Sequence, residues 1–231
     1  LRNIDAQNIE AVLFDLDGLV ADTEDLHLEA YLTMTRHMGI SPPREYLLSL
    51  FGAATKENVL KIMKKFDVME YGFDEMLKLR YDSYHDLVKT TPLYPMEGVE
   101  ACIEKIAKTN LKRALVTSSM KEHAVTVLEN ISKRFKKPCN LIDFFNVMVF
   151  GSEIKNLKPE PDIYNEAATR ITIKPEKCVV LEDSESGVIA AKKAGMSVIA
   201  VPNVHTLNQN FDLADMVVPS LLEVAGMEFM N

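Results

Sequence analysis

Ala11-Val-Leu-Phe14 runs directly into Asp15-Leu-Asp17-Gly18-Leu-Val-Ala-Asp22-Thr23, and this junction decides the fold. Four consecutive apolar residues without alternation read as a strand buried on both faces, as in a parallel sheet. Two carboxylates at i and i+2 just beyond it, with Gly18 to turn the chain, cannot be core residues. Taken alone, Asp-x-Asp-Gly is common turn chemistry and reads as a solvated or capping turn. What raises it above that is the rest of the chain.

Further short apolar runs of the same kind follow: Arg113-Ala-Leu-Val116, Val147-Met-Val-Phe150, Cys178-Val-Val-Leu181 and Ser197-Val-Ile-Ala-Val201. Helical patterns lie between them. Val99, Cys102, Ile103, Ile106 and Ala107 mark one face of a helix, and Ala124 to Ile131, Ile163 to Ile171 and Val188 to Ala194 behave alike. This alternation predicts an α/β fold, a Rossmann-like doubly wound parallel sheet. From about Glu24 to Thr91 the rhythm breaks. Helical patterns fill that stretch (His27 to Met38, Lys56 to Phe66, Asp74 to Val88) and no strand is legible. The expected organisation is therefore a catalytic core from residues 1–22 and 93–231, with an inserted all-helical cap over 23–92. Such blocks act as lids, or as decoration without a catalytic role.

Several predicted strands end in polar residues. Val116 is followed by Thr117-Ser118-Ser119, a phosphate cradle or a plain helix cap. Leu181 is followed by Glu182-Asp183-Ser184-Glu185-Ser186-Gly187, and Lys158 sits on a loop stiffened by Pro159 and Pro161. Each signal is weak alone. In open parallel sheets, however, ligands bind beyond the carboxyl ends of the strands. That rule brings Asp15, Asp17, Thr117 and Asp183 to one edge, with Lys158 on a neighbouring loop. Several carboxylates in one crevice repel one another unless a cation sits among them, and hard oxygen donors suit Mg2+. Metal, lysine and hydroxyl together would neutralise a phosphoryl group.

The composition supports a metabolite enzyme. A net charge of −8 argues against a nucleic-acid or anionic-membrane partner, since either needs a basic face. No apolar run approaches the ~18 residues of a membrane span. Leu1 to Glu10 lacks a signal-peptide pattern, and Cys102, Cys139 and Cys178 read as buried reduced thiols. A cytoplasmic monomer acting on a small phosphorylated metabolite is expected.

At these four strand-end motifs, in order and over nearly the whole chain, the sequence resembles the haloacid dehalogenase superfamily of phosphohydrolases. It is similar in particular to the branch containing β-phosphoglucomutase and its phosphatase relatives. The resemblance implies that Asp15 is a nucleophile forming an aspartyl-phosphate and Asp17 the general acid/base; a lid that excludes bulk water would help by raising the pKa of Asp17. It implies that Thr117 and the Ser118 backbone N–H bind phosphate, and that Lys158 screens nucleophile and phosphate. Glu182 and Asp183 would hold Mg2+ with Asp15 and the Asp17 carbonyl.

In the cap, the resemblance makes His27 an assistant to Asp17 and Gly52 part of the substrate-specificity loop. It puts Arg80 where the mutase carries a phosphate-gripping lysine. The mutase pattern has an arginine three residues after that glycine, where this chain has Thr55, followed by Lys56. This departure favours a phosphatase over a phosphosugar mutase. A catalytically silent binding module is the third reading, and the intact set Asp15, Asp17, Thr117, Lys158 and Asp183 speaks against it. Met63, Met69 and Met76 read as cap core, and the basic stretch Ser132 to Asn140 as a solvated loop.

Overall fold

The computed structural model describes residues 4, 5, 7–137 and 139–230. Residues 1–3 and 6 of the segment read for a targeting signal, and Pro138 of the basic loop, lie outside the described residues. So does Asn231 at the end of the expected core.

Six strands form one parallel sheet: β1 (Ala11–Phe14), β2 (Lys112–Thr117), β3 (Val147–Phe150), β4 (Cys178–Glu182), β5 (Ser197–Ala200) and β6 (Met216–Val217). Their order is β3-β2-β1-β4-β5-β6. The chain steps outward from β1 to β3 on one side, then crosses back and builds β4 to β6 on the other. β1 is thus the topological switch point, where a crevice opens beyond the strand ends. Phe14 is level with Leu115 on one side and Leu181 on the other. Asp15 therefore emerges level with Val116 and Glu182, with Thr117 and Asp183 one step further on.

Burial explains the unbroken apolar runs. Val12, Phe14, Leu115, Val179, Leu181 and Ile199 point to one face, against α5 (Val99–Ile106), α6 (Lys121–Ser132), α7 (Leu141–Phe144) and α10 (Leu221–Ala225). Ala11, Leu13, Ala114, Val116, Val180 and Val198 point to the other, against α8 (Asp162–Ile171) and α9 (Glu185–Lys193). With period-two alternation and helices on both faces, every residue of β1 and β4 must be apolar until the strand leaves the core.

Between β1 and β2 lie α1 (Glu24–His37), α2 (Arg44–Leu48), α3 (Thr55–Lys65) and α4 (Phe73–Thr90). They close on an apolar cluster of their own, which includes Leu28, Met34, Leu47, Ile62, Met63 and Met76. Met69, expected with that core, is instead 45% exposed, because it sits on a surface turn beside Gly72. The outgoing and returning chains run side by side: Asp22 N donates to Tyr94 O at 3.0 Å. Asn130 of α6 pins the return, donating to Val88 O and Thr91 O at 2.9 Å each and accepting from Leu93 N at 3.2 Å.

The three cysteines are free thiols. Burial pushes Cys102 and Cys178 up to about 12, which leaves them inert. Cys139 is half-buried rather than buried. Among the described residues no helix is long and apolar enough to cross a membrane.

Candidate active site

Beyond the carboxyl ends of β1, β2 and β4, one cavity is lined by Asp15, Asp17, Thr117, Ser118, Lys158 and Asp183 from the sheet side. His27 and Gly52 line it from the helical block, so the structure brings together eight of the residues singled out from sequence. Asp15 is held in place by its own backbone, since its N–H donates to Leu181 O at 3.1 Å and extends the β1–β4 ladder. Lys158 Nζ donates to Asp15 Oδ1 at 2.6 Å and also to Glu182 Oε1, and all three side chains are buried.

Glu182 is fully engaged. Its Oε1 also accepts from Tyr164 OH at 2.9 Å, and its Oε2 accepts from Ser184 N and Ser184 Oγ at 3.1 and 3.0 Å. Asp183 Oδ2 accepts from Asn203 Nδ2 at 2.8 Å. Among the described residues no hydrogen bond reaches Asp15 Oδ2 or Asp183 Oδ1.

These carboxylates outnumber their cations. Burial pushes Asp15 up to about 8, Glu182 and Asp17 add to this, and Lys158 opposes it without prevailing. Burial, Glu182 and Glu24 push Asp183 well above the usual carboxylate range. Lys158 is driven the other way from a typical buried lysine: burial favours the neutral amine, but Asp15 and Glu182 outweigh it and hold the charge. One ligand atom each from Asp15, Glu182 and Asp183 lie within 4.8 Å of one another. Hard oxygens, an excess of buried negative charge and two unengaged carboxylate oxygens fit a divalent cation.

Asp17 is in the opposite situation. Its Oδ1 accepts from Thr23 Oγ1 at 2.9 Å and Tyr84 OH at 3.1 Å, and His27 Nε2 lies 3.3 Å away. Its Oδ2 accepts from Ser119 Oγ at 2.6 Å and Thr117 Oγ1 at 3.3 Å. Burial alone would raise its pKa, but the hydrogen bonds from His27, Ser119 and Thr23 outweigh burial and hold it well below the usual range. The expectation of a raised pKa on Asp17 is therefore corrected for this state: five donors stabilise the carboxylate.

Arg80 also requires a correction. It was expected to grip phosphate, yet it does not line the cavity and is 1% exposed. It falls on the buried stripe Met76, Leu77, Arg80, Tyr84, Val88 of α4, so its guanidinium turns inward. There it packs on the rings of Tyr31 and Tyr84, 4.5 and 5.0 Å from their centroids, and bonds His27 Nδ1 at 2.5 Å.

Sequence reasoning missed Tyr84, Tyr164 and Asn203 as supporting residues, and it gave Glu24 no part in the site. Asn203 lies two residues past Val201 at the end of the fifth apolar run, so the strand-end rule that found Asp183 could have found it.

A buried carboxylate beside a fixed ammonium, in a cavity at the switch point of a parallel sheet, is the site of an enzyme of the α/β class. The chain belongs to the haloacid dehalogenase-like hydrolases, whose family model matches residues 12–201, from β1 to the end of β5. It is 33% identical to a phosphorylated carbohydrates phosphatase of Thermotoga maritima, over 87% of this chain and 88% of that protein. It is 28% identical to a β-phosphoglucomutase of Bacillus subtilis, over 84% and 83% of the two chains. The crystal structure of CbbY from Rhodobacter sphaeroides in complex with phosphate superposes with a TM-score of 0.83 at 24% identity, covering 96% of this chain and 99% of that one, and shares its fold.

Proposed function

We propose that this chain is a phosphatase that hydrolyses a small phosphomonoester, a phosphorylated sugar or similar metabolite, through an aspartyl-phosphate on Asp15. One observation carries the reading: Asp15 is buried and lines the cavity, with one oxygen on Lys158 at 2.6 Å and the other unengaged. Asp15 thus has two oxygens for two tasks, one to bond to phosphorus and one to face the cation. Lys158 stays charged because Glu182 braces it from behind, so it offsets the repulsion between carboxylate and phosphate.

In the first step an Asp15 oxygen bonds to phosphorus, the ester P–O bond breaks, and the leaving oxygen takes a proton from Asp17. Asp17 is an unprotonated carboxylate at rest, so something must loosen its ring of donors. Thr117 and Ser119 both donate to Oδ2, and both line the cavity that would receive a phosphoryl group. A phosphoryl group that takes those two bonds leaves Oδ2 able to take up a proton from solvent before the ester bond breaks. In the second step Asp17 takes a proton from water as the water oxygen bonds to phosphorus and the Asp15–phosphorus bond breaks, releasing phosphate. Asp15, Asp183 and the Asp17 main-chain carbonyl would hold Mg2+, with Glu182 beside them. When bound, Mg2+ supplies positive charge to the phosphoryl oxygens.

The helices α1 to α4 act in this reading as a lid. Gly52 O accepts from Ser186 Oγ, and Gln209 Nε2 donates to Phe51 O at 3.2 Å, so the loop before α3 reaches the core over the cavity. The wall that this loop and the first turn of α3 contribute is uncharged: Leu50, Phe51, Gly52, Ala53, Thr55 and Asn58. Lys158 and His27 are the basic side chains among the lining residues. A bisphosphate needs a second cation at its far end, so this wall supports monoester hydrolysis over mutase chemistry. The carbohydrate-phosphate specificity in the name of the Thermotoga relative supports the substrate class.

The test is phosphate release from a panel of sugar phosphates, including β-glucose 1-phosphate and glucose 6-phosphate, with Mg2+ and with chelator. Metal-dependent release without interconversion of the two glucose phosphates is expected. Interconversion stimulated by a bisphosphate primer would make the chain a mutase. Inactivity on the whole panel would revive a binding module.

A further inference from the structure

Glu24 opens α1 immediately after Thr23, a position where an acidic side chain ordinarily faces solvent and complements the helix dipole. Here the side chain turns inward. It is 7% exposed, and among the described residues it accepts no hydrogen bond. A buried carboxylate without a donor is costly and needs a compensating charge. Gly18, at φ +79°, shows where Glu24 is aimed. A Cβ on Gly18 would lie 2.5 Å from Asp183 Oδ2 and 2.9 Å from Glu24 Oε1, so the two carboxylates close on the same bare Cα. Glu24 lines the catalytic cavity with Asp15 and Asp183. It also lines a second cavity of about 570 Å³ with Asp22, Glu97 and Asn203, which leaves open room on its far side.

We propose that Glu24 is a positioning residue for the cation, accepting hydrogen bonds from water molecules that Mg2+ retains when Asp15 and Asp183 hold it. The inference rests on the reading of Asp15 and Asp183 as cation ligands. Mg2+ gives up its waters reluctantly, so a site built from few carboxylates needs acceptors around it to orient those waters. Loss of such an outer partner typically weakens metal binding about 10- to 100-fold. Because Glu24 is the first residue of α1, the same contact ties the start of the helical block to the cation.

The experiment is binding of Mn2+ to the full chain, followed by electron paramagnetic resonance, with Mg2+ competing. Wild type is compared with Glu24→Gln, Glu24→Asp and Asp183→Asn, each checked for folding by circular dichroism. Glu24→Gln is expected to bind Mn2+ about 10-fold more weakly than wild type, Glu24→Asp to fall between the two, and Asp183→Asn to lose more than either. Glu24→Gln within two-fold of wild type, with Asp183→Asn impaired, overturns the role of Glu24 and leaves the cation site standing. Absence of Mn2+ binding to wild type overturns both. Should Glu24→Gln not fold, Glu24→Asp decides: an affinity equal to wild type overturns the proposal, and a weaker one supports it.

Discussion

Arg80 Nη2 lies 2.5 Å from His27 Nδ1, and because a guanidinium carries donors alone, Nδ1 must be the bare nitrogen of that imidazole. The ring proton is then on Nε2, which faces Asp17 Oδ1 at 3.3 Å. Burial lowers the pKa of His27, the hydrogen bond to Asp17 opposes this, and Arg80 adds to the lowering. A residue 53 positions away in sequence thus fixes which tautomer of His27 the proposed acid/base carboxylate meets.

Replacing Arg80 with methionine frees His27 to change tautomer and to protonate. The expected outcome is a kcat lower by about 10- to 100-fold, a share of the general acid–base contribution, and a higher His27 pKa in ring-nitrogen NMR. Arg80→Lys restores a donor and is expected to recover most of the loss. An unchanged pH–rate profile in Arg80→Met would contradict the link.

Lys158 bridges two buried carboxylates. Lys158→Met leaves Asp15 and Glu182 unpaired and is expected to cost about 3–5 kcal/mol in urea denaturation with chelator present. Turnover is expected to fall to background, because the charge facing the phosphoryl group is gone. A stability loss below about 1 kcal/mol would show that the pair is solvated, as surface pairs are.

Stabilisation by Mg2+ should depend on pH. In the metal-free protein Asp15 and Glu24 are each pushed up to about 8, chiefly by burial. The folded chain therefore binds more protons than the unfolded one between about pH 4 and pH 8. Through these groups, stability falls as pH rises across that window, by at most ~1.4 kcal/mol per group per pH unit. A cation that replaces those protons offsets the loss. The rise in Tm on adding Mg2+ is expected to be small near pH 5 and to grow towards pH 8. His123, lowered to about 4 mainly by burial, changes stability in the opposite sense, but it lies outside the cluster and cancels in the difference. A Tm shift independent of pH would mean that the cation binds elsewhere.

Thr55 stands on the neutral wall of the cavity. Thr55→Arg adds the cation that a distal phosphate lacks there. It is expected to improve kcat/KM for a sugar bisphosphate over the monophosphate by about 5- to 10-fold, a fraction of a charge-assisted bond. No change in that ratio would place the distal end of the substrate elsewhere.

The sheet was legible because burial on both faces forces an unbroken apolar run, as Ala11 to Phe14 shows. β6 was not, since two residues carry no period. Nor were α2 and α7, which at five and four residues are shorter than the window in which helical periodicity can be read. At the site, the residues at strand ends were legible: Asp15, Thr117 and Asp183 follow from topology alone. What sequence could not show was direction. Arg80 looked like a phosphate ligand until its place on the stripe Met76 to Val88 turned it inward. Glu24 carried no signal of its own until the structure placed it with Asp183 beside the bare Cα of Gly18. Both depend on how α1 and α4 pack over the crevice, a tertiary relation without a local signal.

Covalent catalysis by Asp15 is tested most directly by acid-quenching the enzyme during turnover of 32P-labelled glucose 6-phosphate, or of the best ester from the panel, and mapping the label. The prediction is a phosphoryl group on the peptide containing Asp15, absent from Asp15→Asn, which should also lose turnover. Near-normal turnover by Asp15→Asn, or label on another residue, would contradict it.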